Sequence, residues 1–300
     1  MRQSALMTQT PDCLCIGSAL WDIIGQTDLP MVAGNDKPGQ ITRRPGGVVL
    51  NIAAGLAERG VVPMLLSAVG RDAEGEALIE EITAKGILCD NVHRMDAPTD
   101  RYMAIEAQGQ ILGAIADCAS LEREGEALLE PLRDGRLGSP TAPYTGLAVI
   151  DGNLPIQTIE AIVAKGDLAS ARTVFAPASP GKADRMAPVL GQPGVTLFLN
   201  RGEAEIVLGA TFENSTAAAK ALAVRNTAAV VTDGHRAAAV CRDDKLTTLT
   251  PPKVVVRSAT GAGDAFLAGF LAAEINGADD HDCLQAALDA GAAHVSGAAA

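Results

Sequence analysis

The chain has 300 residues, 48% of them hydrophobic but only 3% aromatic, so a sizeable core must be filled with Ala, Val, Leu and Ile. The net charge of −12 disfavours nucleic acid and anionic membranes as partners, because the densest positive feature is only Arg43-Arg44. The opening MRQSALMTQTPDCL lacks a signal-peptide apolar core and no apolar run is long enough to span a bilayer, so a soluble, cytoplasmic protein is expected.

In chain order, CLCIG (13–17) reads as a first strand. Residues 20–45 are punctuated by Gly and Pro and are not helical. Residues 48–59 carry Ile52 and Leu56 four apart and read as a helix stopped by Gly60. A strand is predicted at 64–70 and a helix at 74–85, with Leu78, Ile79 and Ile82 on one face. Residues 101–117 look like a hairpin around Gln108-Gly109. Strands at 146–152, 173–177, 195–200, 228–234 and 253–256 then alternate with helices at 155–165, 182–190, 202–208 and 215–225. The strands are nearly continuous apolar runs, as expected where both faces are covered. Alternating β and α elements of this kind predict a mostly parallel sheet with helices on both faces. The 20–45 and 101–117 segments fit no βα unit, and a small extra sheet acting as a lid is expected from them.

The six cysteines are scattered and read as free thiols, and the four histidines show no ligand spacing. His281-Asp282-Cys283 is too slight a pattern to read as a metal site.

Four stretches carry chemistry. In RSATGAGDAFLAGF, Gly261, Ala262 and Gly263 precede Asp264 at the start of an apolar helix. The first N–H groups of a helix lack internal partners and carry partial positive charge, so this turn suits a phosphoryl group. Asp264 beside it could accept a proton from an attacking hydroxyl; an ordinary acidic helix start would look the same. The stretch is neither a Walker A loop nor a dinucleotide fingerprint, since Phe266 stands where the third glycine belongs. In RPGGVVLNIAAGLAERG, Gly46-Gly47 opens a helix whose Asn51 could bond a ligand hydroxyl or a nearby backbone group. In LNRGEAEIVLG, Asn200 ends a strand and Glu203 follows in the next helix, where it either complements the helix N-terminus or organises waters around magnesium. VVTDG places Thr232 and Gly234 at a strand end, where ligands of open α/β sheets gather. Asp22 lies beyond another strand, either as a turn acid or as a ligand group.

Together these stretches resemble the ribokinase-like, or PfkB-type, sugar and nucleoside kinases. SATGAGDAFLAGF is similar to that family's C-terminal signature, PGGVVLNIAAGLAERG to its N-terminal one, NRGE to its Asn-x-x-Glu motif and VTDG to its nucleotide-side strand end. The resemblance runs from about residue 12 to the end and implies one α/β kinase domain over 1–300. Its expected fold is a ribokinase-like three-layer sandwich around a central, mostly parallel sheet, plus a small β lid from roughly 20–45 and 101–117.

The resemblance also implies roles. Asp264 matches the catalytic base, and the backbone of Gly261, Ala262 and Gly263 the anion hole. Asp22, Gly46, Gly47 and Asn51 match acceptor-binding positions. Thr232 and Gly234 match the ATP side, and Asn200 and Glu203 the magnesium and phosphate network. The expected cofactors are ATP and Mg2+. Ser258 stands where most members have an Asp that helps order a monovalent-cation loop, so that cation is left open. Leu20 and Leu50 also replace polar residues common in the family.

NDKPGQ, ILGAIADC, DGNLP and PASPGKADRM resemble the pseudouridine kinase subgroup, whose acceptor is the ribose 5′-hydroxyl. Ribose, fructose, 2-keto-3-deoxygluconate and adenosine remain alternative acceptors, and a sugar- or nucleoside-binding regulator is the non-enzymatic alternative. A homodimer through the lid is a further expectation.

Overall fold

A computed structural model describes residues 10–108, 110–225, 228–257 and 260–297. The chain enters as β1 (Cys13–Ile16), turns through β2 (Leu20–Thr27) and β3 (Gln40–Gly46), and reaches α1 (Val48–Ala57). Next come β4 (Pro63–Leu66), β5 (Ala68–Gly70), α2 (Ala73–Ala84), β6 (His93–Met95), β7 (Arg101–Ala107) and β8 (Gln110–Asp117). A short α3 (Ser120–Glu124) and a 3₁₀ segment (Ala127–Leu132) lead to β9 (Leu147–Asp151), α4 (Ile156–Lys165) and β10 (Arg172–Ala176). A second 3₁₀ segment (Pro180–Val189) precedes β11 (Val195–Asn200), α5 (Arg201–Leu208), α6 (Ser215–Ala223) and β12 (Ala228–Thr232). The hairpin β13 (Ala238–Arg242) and β14 (Lys245–Leu249) is followed by α7 (Ala262–Ile275) and α8 (Asp280–Ser296).

The main sheet has eight strands in the order β14-β13-β12-β11-β10-β9-β1-β4. Its strands are parallel from β4 to β12, and β13 and β14 add antiparallel at one edge. Side-chain alternation splits the interior in two. Cys13, Cys15, Val149, Val174, Phe198 and Val230 pack beneath α1, α2, α7 and α8. Leu14, Ile16, Ile150, Phe175, Leu197 and Val231 pack on the opposite face against α4, α6 and both 3₁₀ segments. This is why the strands read as unbroken apolar runs. The small residues of α1, α7 and α8 let these helices approach closely: a Cβ on Gly55 would stand 2.7 Å from Ala268, and one on Gly269 2.7 Å from Ala290.

The 20–45 and 101–117 segments pair as expected, forming a separate four-stranded sheet in the order β3-β2-β7-β8. One face turns Asp22, Tyr102 and Ala116 towards the main body. The other exposes Ile41, Met103, Ile105 and Ile115. Gln108 takes a positive φ of 52° at the hairpin turn, and Gly109 lies outside the described residues.

Three sequence expectations need correction. The 64–70 run is two strands, because after the buried Ser67 the chain leaves the main sheet and β5 pairs with β6. The 182–190 helix is 3₁₀, with Pro180 opening it and Pro188 inside it, where a missing N–H disfavours an α-helix. Residues 253–256 are not a strand: Pro251-Pro252 hold the chain extended, and Val254, Val255 and Val256 are exposed with no neighbouring strand. β propensity without a pairing edge makes no strand. The β13–β14 hairpin was not anticipated. It turns on Asp243 and Asp244, both at positive φ, as a two-residue hairpin of the primed type requires.

The six cysteines are free, four of them buried. Among the described residues no helix is long and apolar enough to cross a membrane.

Phe270 is fully buried, with its ring edge-on to Phe198 at 5.0 Å between centroids. Phe270→Ala is expected to remove about 3–5 kcal/mol of stability, read as a lower urea midpoint with an unchanged m-value.

Candidate active site

A cavity of about 740 Å³ opens at the carboxyl ends of the central strands, between the main body and the inner face of the small sheet. Its framework begins with Asp151, which ends β9 and is fully buried. One carboxylate oxygen accepts the Ser18 N–H at 3.0 Å, the Ser18 hydroxyl at 2.6 Å and the Val49 N–H at 3.0 Å. The other accepts the Asn153 N–H at 2.9 Å. These donors are all neutral, so hydrogen bonding alone offsets the desolvation of the carboxylate. Gly17 is bare because any side chain would strike this carboxylate: a Cβ there would lie 2.5 Å from the carboxyl carbon, and its φ of 148° also favours glycine.

Val49 belongs to the first turn of α1, so Asp151 satisfies one of that helix's unpartnered N–H groups. The Ser18 hydroxyl satisfies another, accepting from Val48 N at 3.0 Å. With α1 set, Asn51 one turn on donates from Nδ2 to an Asp264 carboxylate oxygen at 2.9 Å.

Asp264 sits in the first turn of α7, beyond Gly261, which takes φ 83° as the N-cap residue and contributes no side-chain cap. Among the described residues no side chain caps the N–H groups of this first turn, and Gly261 and Gly263 line the cavity. Burial pushes the Asp264 carboxyl up to about 7, the Asn51 bond opposes this, and the nearby Asp151 and Asp22 charges add to it. His294 of α8 supports the turn from behind, with its ring nitrogen 2.8 Å from the Thr260 carbonyl oxygen.

Asp22 projects from β2 into the same cavity. Burial raises its carboxyl, and Arg44, 3.9 Å away, opposes this. Gly46 in β3, paired with Leu20 and diagonal to Asp22, has no side chain because its Cβ position is occupied by the Asp22 carboxylate. At the other end, Asn200 and Thr232 stand side by side where β11 and β12 finish. Asn200 and Glu203 form a reciprocal capping box on α5, with Asn200 Oδ1 accepting from Glu203 N at 2.9 Å and Glu203 Oε2 from Asn200 N at 2.8 Å. Burial raises the Glu203 carboxyl. Arg201 donates to Asp233 at 3.1 Å and steadies the turn that carries Gly234.

Asp22, Gly47, Asn51, Asn200, Glu203, Thr232, Gly234, Gly261, Gly263 and Asp264 thus line one cavity, although sequence separates them by more than two hundred positions. Gly46 and Ala262 do not line it; Gly46 backs Asp22, and Ala262 begins α7. Ser258, the position that bears on a monovalent cation, lies outside the described residues.

Several wall residues were missed. Ser18, Asn153 and Lys182 form a bonded row, with Lys182 Nζ donating to Asn153 Oδ1 at 2.6 Å and Asn153 Nδ2 to Ser18 Oγ at 2.9 Å. Asn153 and Lys182 lie in the DGNLP and PASPGKADRM stretches, so the signal was visible without a role. Asp151 also had one: an acid ending an otherwise apolar strand.

The chain matches known proteins over most of its length. The model of the pfkB family carbohydrate kinase matches residues 10–300. A pseudouridine kinase of Escherichia coli (strain K12) is 28% identical over 280 residues, covering 87% of this chain and 83% of that protein. The uncharacterised sugar kinase YeiI of the same organism is 31% identical over 164 residues, or 54% of this chain, and the match spans only 44% of YeiI. In fold, an Arabidopsis thaliana ribokinase solved with ribose and ATP superposes with a TM-score of 0.71 at 20% identity, over 96% of this chain and 93% of that one.

Two outcomes follow from the site's electrostatics and packing. Asp264 is expected to hold its proton more tightly folded than unfolded, so wild-type stability falls as pH rises from about 4, the unfolded carboxylate value, towards 7. Asp264→Asn lacks this loss. Its melting temperature relative to wild type should climb across that window and level off above it. Asp151→Ala should lower the melting temperature sharply, because each orphaned buried donor costs about 1–3 kcal/mol.

Proposed function

The chain belongs to the pfkB family of carbohydrate kinases, and we propose that it transfers the γ-phosphoryl group of ATP to the primary 5′-hydroxyl of a nucleoside, with pseudouridine as the favoured acceptor. The observation that carries the reading is Asp264, raised to about 7 and held by Asn51 beside the open first turn of α7. A carboxylate with that pKa is matched to taking a hydroxyl proton near neutral pH. The E. coli pseudouridine kinase, which matches most of this chain, supports the choice of acceptor.

In the proposed reaction, Asp22, Gly47 and Asn51 hold the ribose hydroxyls. Asp264 accepts the 5′-hydroxyl proton as the oxygen attacks phosphorus. The new bond joins that oxygen to the γ-phosphorus, the bond to the bridging β–γ oxygen breaks, and ADP leaves with the electron pair. The backbone N–H groups of Gly261, Ala262 and Gly263 are proposed to face the charge that builds on the phosphoryl oxygens. Thr232 and Gly234 line the nucleotide end.

The oxygen donors of Asn200 and Glu203 fit a magnesium ion, which prefers such ligands and keeps much of its water. Each already gives an oxygen to the helix cap, so they would hold the ion through water. Bound there, magnesium supplies positive charge against the phosphates. The small sheet of β2, β3, β7 and β8 is proposed to act as a lid that excludes water over the acceptor.

ADP release with Mg-ATP is the test, across pseudouridine, uridine, adenosine, ribose, fructose and 2-keto-3-deoxygluconate. Turnover confined to pseudouridine is the expected result. Turnover of a free sugar alone would overturn the nucleoside reading and retain the kinase, and silence with Mg-ATP still bound would favour a regulator. With the active acceptor, Asp264→Asn is expected to lower kcat by ~10² or more. Wild-type kcat/KM should fall as pH drops through about 7, where Asp264 takes up its proton.

A further inference from the structure

The row that ends in Lys182 has no part in the chemistry above. Lys182 is the one cationic side chain among the described residues lining the 740 Å³ cavity, facing a wall that carries Asp22, Asp100, Glu122, Glu203 and Asp264. It nonetheless makes no ion pair within the described residues. Its Nζ donates to the neutral Asn153 Oδ1 at 2.6 Å. An ammonium carries three donors, so two remain for a ligand.

This lysine is held in place from below. Asn153 is bonded to Ser18 through its side chain and to Asp151 through its N–H. The Arg185 guanidinium, one turn past Lys182, takes the carbonyls of Gly152, Asn153 and Leu154 at 3.2, 3.0 and 3.0 Å. The 152–154 turn and the 3₁₀ segment are therefore locked to each other, which fixes Asn153 opposite Lys182.

Its surroundings place it in the acceptor half. Burial pushes the Cys118 thiol, at the end of β8, up to about 11; Asp100 adds to this, the Lys182 charge opposes it, and Asp117 and Asp22 add further. Lys182 thus shares its neighbourhood with Asp22 and Asp100, while Thr232 and Gly234 mark the opposite end.

We propose that Lys182, oriented by Asn153, is a specificity residue that donates a hydrogen bond to a carbonyl oxygen on the base of the acceptor nucleoside. The assignment rests on the nucleoside reading above and deepens it. An ammonium with two unused donors, partly shielded from water and set among the acceptor-side residues, gains a charge-assisted hydrogen bond from an electron-rich oxygen of the acceptor. The carbonyls of a uracil ring offer that, and a free pentose offers only hydroxyls.

The test compares pseudouridine with a C-riboside bearing an unsubstituted phenyl ring, which keeps the ribose and loses the carbonyls. In Lys182→Met the KM preference for pseudouridine over the phenyl riboside is expected to shrink about tenfold to a hundredfold, the scale of losing a hydrogen bond to a charged group. The KM for ATP should stay close to wild type, and Lys182→Arg should restore part of the preference. An unchanged preference in a folded Lys182→Met overturns the assignment, as does a rise confined to the KM for ATP. If Lys182→Met melts before assay temperature, Lys182→Gln, close in length and uncharged, decides by the same criteria. Wild-type activity on ribose but on neither riboside overturns the nucleoside reading and this assignment with it. Wild-type activity on pseudouridine with an indifferent Lys182 overturns this assignment alone.

Discussion

The buried carboxylate of Asp151 is the contact on which the rest of the site depends. A charge with no cation beside it survives inside a protein only if its oxygens are saturated with donors. Asp151 obtains those donors from three chain segments: the turn after β1, the first turn of α1 and the turn after β9. Meeting the electrostatic demand therefore fixes the relative placement of the segments. The start of α1 positions Asn51, and Asn51 holds Asp264 from the other end of the chain. A fully buried acid outside the cavity lining thus sets the geometry of the group that does the proton transfer in the proposed reaction.

The cavity gathers several acids whose surroundings disfavour their charged forms. Asp22, Asp100 and Asp264 are each pushed above the ordinary carboxylate range, with burial the first cause in every case. Partial compensation comes from Arg44 at Asp22, from Ser120 at Asp100 and from Asn51 at Asp264. Burial thus disfavours the charged form of each of these acids. Polar groups whose charged forms the environment disfavours are common where a protein needs a proton acceptor near neutral pH.

The small sheet meets the body through directional contacts as well as buried apolar residues such as Trp21. Trp21 at the base of β2 donates from its indole to the Glu74 carbonyl at 3.0 Å, and the Arg43 guanidinium lies 4.1 Å from the Trp21 ring centroid while pairing with the Glu74 carboxylate at 2.6 Å. Asp72 caps α2 and also accepts from Thr99 N at 2.9 Å, just before β7. These contacts sit at the roots of the strands. Residues of β8 and of the β2–β3 turn are mostly exposed.

Much of the layout was legible because it depends on local rules. Unbroken apolar runs in 13–16, 147–151 and 228–232 signal strands covered on both faces, and Gly60 marks where α1 stops. Gly261 and Asp264 show an uncapped helix start with an acid in it, as their spacing requires. What depends on partners far along the chain was not legible. Val254, Val255 and Val256 have strand propensity, but only the folded sheet decides that no edge is available to them. Asp151 looked like a strand's last residue, and only tertiary structure brings Ser18 and Val49 to it over separations of 133 and 102 positions. Lys182 lay in a stretch singled out without a role, and only the turn at 152–154 places Asn153 against it. Sequence by itself determined most of the elements, their order and the residue types at the strand ends, because backbone geometry and hydrophobic periodicity act over a few residues. Tertiary structure alone decided which acids share one cavity, which of them are desolvated and which donors saturate them, because burial and electrostatics act through space.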